Sequence, residues 1–309
     1  MFAELFRYWT TFSPERVRKY GYLQRLIALE FRYARCKVAW APHVAKCHAM
    51  IIKAADLVPQ PRTAVVIGSG LWIEIPIQAL AERFERVYLV DIFHMPEVVR
   101  RAKKYFNVKL LTGDVTGIFA MMKENKYPGP LVPPPPPRIP HLADADFVVS
   151  CNCMSQLAGP FNEMFRKTRG YADKDCDMVS AQVMEAHAEA LATHAAGVAL
   201  LITDTERFAM QGDKIVSRTD LLKGIRLPAT ARPIHNEEWD WVIAPAPEEH
   251  PSQDMVHVVT ARVYERLSEE DKKKEAEAAK AGEVGAPPEL EPLPDDGDGL
   301  SDLPGAPRR

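Results

Sequence analysis

Between Ser13 and Ala55 the apolar positions recur at intervals of three and four. Val17, Tyr20, Leu23, Ile27, Phe31 and Ala34 share one helical face. Ser13-Pro14-Glu15 offers an N-cap, a proline in the first turn and an acid beside it. Gly21 weakens this helix locally. Pro42 is expected to start a second helix, with Val44, Cys47, Ile51 and Ala55 on its face, and Pro59-Gln60-Pro61 to stop it. Beyond residue 60 the period changes. Short continuous apolar runs at 64–67, 87–90, 108–111, 146–150 and 198–202 alternate with helical stretches near 77–84 and 96–105. Each run ends in small or polar residues. Strands that alternate with helices predict βαβ units, a mostly parallel sheet and helices on both of its faces. Two further runs, 239–243 and 255–259, are too close for an intervening helix and predict an antiparallel hairpin.

Composition divides the chain into three regions. In 309 residues the formal net charge is -3, yet residues 1–58 carry +6 and residues 268–309 carry -6. The expected organisation is an N-terminal helical cap (1–60), an α/β domain (61–267) and a charged tail rich in Pro, Gly and Asp (268–309). Of 26 prolines, eight fall in 128–140 and six in 282–309. The first group reads as a polyproline II insertion and the second as part of a disordered tail. A basic cap favours an anionic substrate, or else forms a solvated face against the acidic body. The near-neutral total gives no indication of nucleic-acid binding. No stretch approaches the ~18 apolar residues of a membrane span, so no membrane partner is expected. The first residues do not read as a signal peptide. Five scattered cysteines make no disulfide framework, which fits a reducing cytoplasm, and Cys151-x-Cys153 lacks the second pair of a zinc site, so no metal is expected.

The chemistry concentrates where strands end. Gly68-Ser69-Gly70, Asp91 and Asp114 close the first three strands, at the sheet edge where open α/β folds bind ligands. The glycines allow close backbone approach and offer N–H groups, although a tight strand-to-helix turn alone also uses them. Asp91 lies at the spacing of a ribose-binding acid. Ile73 stands where a dinucleotide fingerprint places its last glycine.

Val65-Val66-Ile67-Gly68-Ser69-Gly70, Leu89-Val90-Asp91, Leu111-Thr112-Gly113-Asp114-Val115 and Phe147-Val148-Val149-Ser150-Cys151-Asn152 together resemble a class I S-adenosylmethionine-dependent methyltransferase. The resemblance spans roughly residues 60–265. It implies a Rossmann-like seven-stranded sheet completed by the antiparallel hairpin. It implies that Gly68, Ser69 and Gly70 line the cofactor's methionine part and that Asp91 holds its ribose. Asp114 would face the adenine amino group beside Val115, and Asn152 would lie near the transferable methyl. The implied activity is methyl transfer to an acceptor of unidentified class. The pattern departs from the family at Val66, where an acid is usual, and at Trp72, where a third glycine is usual. Glu74 or a residue of the N-terminal helices is then expected to anchor the methionine end. Asn152, Asp204 and His94 are candidate catalytic residues, though Asn152 also suits a turn, Asp204 a capped loop and His94 a plain loop. His187 and His194, seven apart on a helix, suit the core edge or surface. Tyr20, Tyr22 and Tyr33 reach the site only if the N-terminal helices cover it. Two other readings stand beside this one. One is an NAD(P)-dependent oxidoreductase. The other is a non-catalytic interaction module that keeps the fold.

Overall fold

The computed structural model describes residues 2–119, 137–166, 170–195, 197–229 and 236–265. The tail and most of the proline-rich insertion therefore lie outside the described residues. Three helices open the chain: α1 (Phe2–Thr10), α2 (Glu15–Lys19) and α3 (Tyr22–Ala55). Gly21, at φ +74°, separates α2 from α3. The expected N-cap is not made, because the buried Ser13 hydroxyl has no hydrogen-bond partner. The expected break at Pro42 is also absent, and α3 runs through it for 34 residues. Packing overrides the proline. Trp40, His43, Cys47, Met50, Ile51 and Ala54 form a continuous buried stripe, while Pro42 faces solvent.

The α/β body follows in the expected order. Its elements are β1 (Thr63–Ile67), α4 (Ile77–Arg83), β2 (Arg86–Asp91), α5 (Pro96–Ala102), β3 (Val108–Thr112) and β4 (Phe147–Cys151). Next come a single 3-10 turn (Met154–Gln156), α6 (Gly159–Met164), α7 (Asp173–His194) and β5 (Val198–Gln211). The chain ends its described part with β6 (Lys214–Asp220), β7 (Asn236–Ala244) and β8 (Asp254–Tyr264). The sheet order is β3-β2-β1-β4-β5-β8-β7. Strands β1 to β5 are parallel and follow the first five places of the Rossmann order. Strand β8 is antiparallel to both β5 and β7, which is the predicted hairpin. The chain thus has a Rossmann-like fold, with one strand more than expected. That strand is β6, which pairs with the far half of β5 beyond the end of β4. Consequently β5 extends to Gln211, and Asp204, Thr205 and Glu206 lie within it rather than at its end.

Strand β1, Thr63–Ile67, is buried throughout because both sheet faces are covered. Val66 faces the core under α3, α4 and α5, with Leu89, Val149, Leu200 and Ile202. Val65 and Ile67 face the other side, with Met184, Ala188 and Leu191 of α7. A two-residue alternation is therefore concealed inside a uniformly apolar run. Residues 1–266 form one compact unit. No helix among the described residues is long and apolar enough to cross a membrane.

Candidate functional site at the strand termini

Strand β1 lies between β2 and β4, so the chain reverses its direction of progress across the sheet there. This is the switch point at which open α/β sheets carry ligands. The Gly68 and Ser69 N–H groups both donate to the Val90 carbonyl, at 3.0 and 3.3 Å. Gly68 has φ +72°, and a Cβ there would fall 2.5 Å from the Cβ of Cys153. Glycine is required by both backbone and neighbour. Burial pushes the Cys153 thiol up to about 12, so it is a neutral packing group rather than a nucleophile. At Trp72 the backbone takes φ 63°, the bend that a glycine would adopt without strain. Its ring is buried, and the Arg101 guanidinium lies over it at 4.8 Å. A large packed side chain thus stands at a left-handed position of the turn.

Asp91 is tied directly to this loop. Its Oδ2 accepts from the Gly70 N–H and its Oδ1 from the Ile92 N–H, both at 2.7 Å. Burial raises its pKa, and the Gly70 N–H opposes that shift. A carboxylate has about four acceptor positions, so lone pairs remain for ligand hydroxyls. Asp114 is more fully used by its own loop. Its Oδ1 accepts from the Thr116 N–H and hydroxyl, and its Oδ2 from the Phe119 N–H at 2.9 Å. Val115 beside it is buried. The N-terminal helices do reach this edge. Tyr20 and Tyr22 pack on Phe119, with ring centroids at 5.2 and 6.1 Å. Burial and the charges of Asp114 and Asp91 push the Tyr22 phenol upward. Tyr33 instead packs on Trp40 in the core. The His94 ring donates from Nε2 to the Leu111 carbonyl at 3.0 Å, which leaves Nδ1 buried without a partner.

A second cluster lies under α3. The Trp239 indole N–H donates to His43 Nδ1 at 3.1 Å. An indole only donates, so His43 carries its proton on Nε2, which faces Glu74 Oε1 at 3.3 Å. Asn152 Nδ2 reaches the same Glu74 oxygen at 3.3 Å. Asn152, at φ 47°, is buried, and its Oδ1 has no partner. The His43 ring stacks on Trp241, centroids 4.0 Å apart, and Trp241 meets His257 edge-on at 5.7 Å. His257 Nδ1 donates to Asp204 Oδ2 at 2.7 Å, and the Ser155 hydroxyl donates to Asp204 Oδ1. Asp204 is thus buried between a serine and a histidine.

Of the sequence candidates, Gly68, Ser69, Gly70 and Asp91 converge at one corner. Asn152 meets Glu74, and Asp204 is held by Ser155 and His257. His43, Trp239 and His257 were not anticipated. No local spacing signals them, since Trp239 and His43 are 196 residues apart. His187, buried on α7, hydrogen-bonds the Ser150 hydroxyl at 2.9 Å on the opposite sheet face. Among the described residues no group of His, Cys, Asp and Glu has the arrangement of a metal site. A cavity of about 450 Å³ lies between α1 and α3, lined by Glu4, Leu5, Tyr8, Gln24, Ile27 and Ala28, and shares no residue with the sheet edge.

No family model and no curated protein matches this chain. Three solved structures illustrate its similarities. A chain of the Haloferax volcanii complex that contains the Trm112 methyltransferase activator is 16% identical, with a TM-score of 0.28. The match covers 56% of each chain, so the present protein spans little more than half of that relative. The 1,6-didemethyltoxoflavin-N1-methyltransferase of Burkholderia thailandensis, solved with S-adenosylhomocysteine, is 13% identical at a TM-score of 0.30, over 77% of this chain and 88% of its own. The 23S rRNA methyltransferase ErmE is 10% identical at a TM-score of 0.29, over 75% of each chain.

Proposed function

We propose that the protein binds S-adenosylmethionine at the ends of β1, β2 and β3 and transfers its methyl group to an acceptor. The observation that carries this reading is the direct bond between Asp91 and the Gly70 N–H, which fixes a ribose-binding acid against a glycine turn at the switch point. Two buried polar atoms beside it, Ser69 Oγ and Asn152 Oδ1, lack protein partners and suit a polar ligand. Asp91 offers its remaining lone pairs to the ribose diol. Val115 and Asp114 flank the adenine, and the Gly68–Gly70 backbone lines the methionine part. Glu74 takes the place of the acid missing at Val66, holding the ammonium with one carboxylate oxygen while His43 and Asn152 steady the other. Bound S-adenosylmethionine supplies an electrophilic methyl on a sulfonium. Tyr22 and Phe119 exclude water from that side of the site. Asn152 orients the acceptor, and Asp204 holds His257 in the Nδ1–H tautomer, so Nε2 is available to take a proton from it. The Leu111 carbonyl fixes the orientation of the His94 ring.

A second reading keeps the fold without the chemistry. It is favoured by Trp72 and by the Asp114 carboxylate, which its own loop largely occupies. Calorimetric titration with S-adenosylmethionine, S-adenosylhomocysteine and NADH separates the readings. The two adenosyl compounds are expected to bind and NADH not to. Asp91→Asn is expected to weaken the binding by about ten- to a hundredfold, the value of one or two hydrogen bonds to a charged group. No heat with any of the three would favour the interaction module, and heat with NADH alone would favour the oxidoreductase.

A further inference from the structure

Helix α1 contributes no buried residue to the protein, although it is a regular nine-residue helix. Its apolar side chains face outward. Phe2 is 85% exposed, Phe6 71% and Trp9 72%, with Leu5 beside them and Phe12 at 91% just beyond the helix. At 100° per residue Phe2, Leu5, Phe6 and Trp9 fall on one face. The opposite face is fixed to the body. Arg7 pairs with Glu30 of α3 and Glu97 of α5, and Glu4 pairs with Arg35 of α3. Arg18 of α2 donates to the carbonyls of Tyr8 and Thr11. These ties prevent the helix from rolling its aromatic face inward. Exposing four large aromatic groups forfeits burial worth about 1.5 to 3 kcal/mol each. Among the described residues nothing covers these side chains.

We infer that α1 and the start of α2 dock the protein on an anionic lipid surface. Two features point to lipid as the occupant. The face is built of Phe and Trp, the residues that settle at the boundary between headgroups and acyl chains. The segment that follows it carries Arg16, whose guanidinium lies over the Phe119 ring at 5.7 Å, and Lys19, both exposed and without a carboxylate partner among the described residues, and these cations complement anionic headgroups. A helix that lies in the interface needs no spanning segment, so the lack of one does not oppose the inference. The inference does not depend on the proposed methyl transfer.

The test is co-sedimentation of the full chain with vesicles of equimolar phosphatidylglycerol and phosphatidylcholine, and with phosphatidylcholine alone. Binding is expected to the mixed vesicles and to fall steeply with salt. Phe6→Ser with Trp9→Ser is expected to abolish it, and Arg16→Glu with Lys19→Glu to reduce it roughly tenfold or more. Because Phe6, Trp9, Arg16 and Lys19 are all exposed, these variants are expected to keep the parent's unfolding midpoint, which separates loss of docking from loss of fold. Trp9 supplies a second readout, since its emission should shift to the blue and resist iodide quenching on the vesicles. Absence of binding to anionic vesicles at low salt would overturn the inference. So would a dimer in sedimentation velocity that the Phe6 and Trp9 substitutions dissolve while vesicles bind neither form, because a second copy would then be the occupant.

Discussion

At Gly68 a left-handed backbone, which elsewhere accommodates Trp72 and Asn152, acts together with a close neighbour that leaves no room for a side chain. Gly68→Ala is expected to cost about 2 to 4 kcal/mol, from the strained φ and from overpacking against Cys153. Adding Cys153→Gly should recover the packing part but not the backbone part, as a urea-denaturation cycle would resolve. His187 gives a residue-scale pH effect of definite sign. Burial lowers its pKa to about 4, whereas an unfolded chain binds that proton below about 6.5. The neutral form's contribution is complete above pH 6.5 and is lost as the pH falls toward 4. The loss approaches about 3 kcal/mol. In His187→Gln the urea midpoint should fall less between pH 7 and pH 5 than in the parent. Residue patterns disclosed the Gly68–Gly70 turn and Asp91 because each closes a strand and is recognisable locally. They named Glu74, Asn152 and Asp204 of the second cluster but not His43, Trp239 and His257, which join it only after the sheet has assembled.

Among the elements, α3 shows how tertiary packing outweighs a local signal. Pro42 cannot donate to the Val38 carbonyl, yet Val38 is 90% exposed, so water can satisfy that oxygen. The buried stripe on either side of the proline keeps the helix continuous through it. Pro42→Ala should therefore stabilise the protein, by about 1 to 3 kcal/mol, seen as a higher denaturation midpoint with unchanged helix content. The central strands were legible because apolar runs covered on both faces have few alternative readings. Strand β6 was not, since all seven of its residues are exposed and its side chains carry no burial pattern. The far half of β5 was hidden for a related reason. Thr203 to Gln211 mixes charged and apolar residues, and it becomes a strand by pairing with β6 and β8.

Across the whole molecule, the N-terminal excess of positive charge is largely answered by carboxylates elsewhere in the chain. Arg25 pairs with Glu163, Arg32 and Arg35 with Glu248, and Lys46 and Lys53 with Glu237. The expectation of a cap in contact with an acidic body describes these residues better than a free cationic field. Exposed pairs contribute little individually. The Arg35–Glu248 pair is the exception in geometry, with Nε and Nη2 each bonded to a different carboxylate oxygen, at 2.8 and 2.6 Å. It fastens the middle of α3 to the connection between β7 and β8. Arg35→Ala should lower stability by about 1 kcal/mol in chemical denaturation, with the effect shrinking in high salt. The Trp239–His43–Glu74 chain has one more consequence. An indole hydrogen-bonded to an imidazole that faces the carboxylate is a built-in optical gauge. Whatever engages Glu74 will polarise that imidazole and alter the emission of Trp239 without any attached dye.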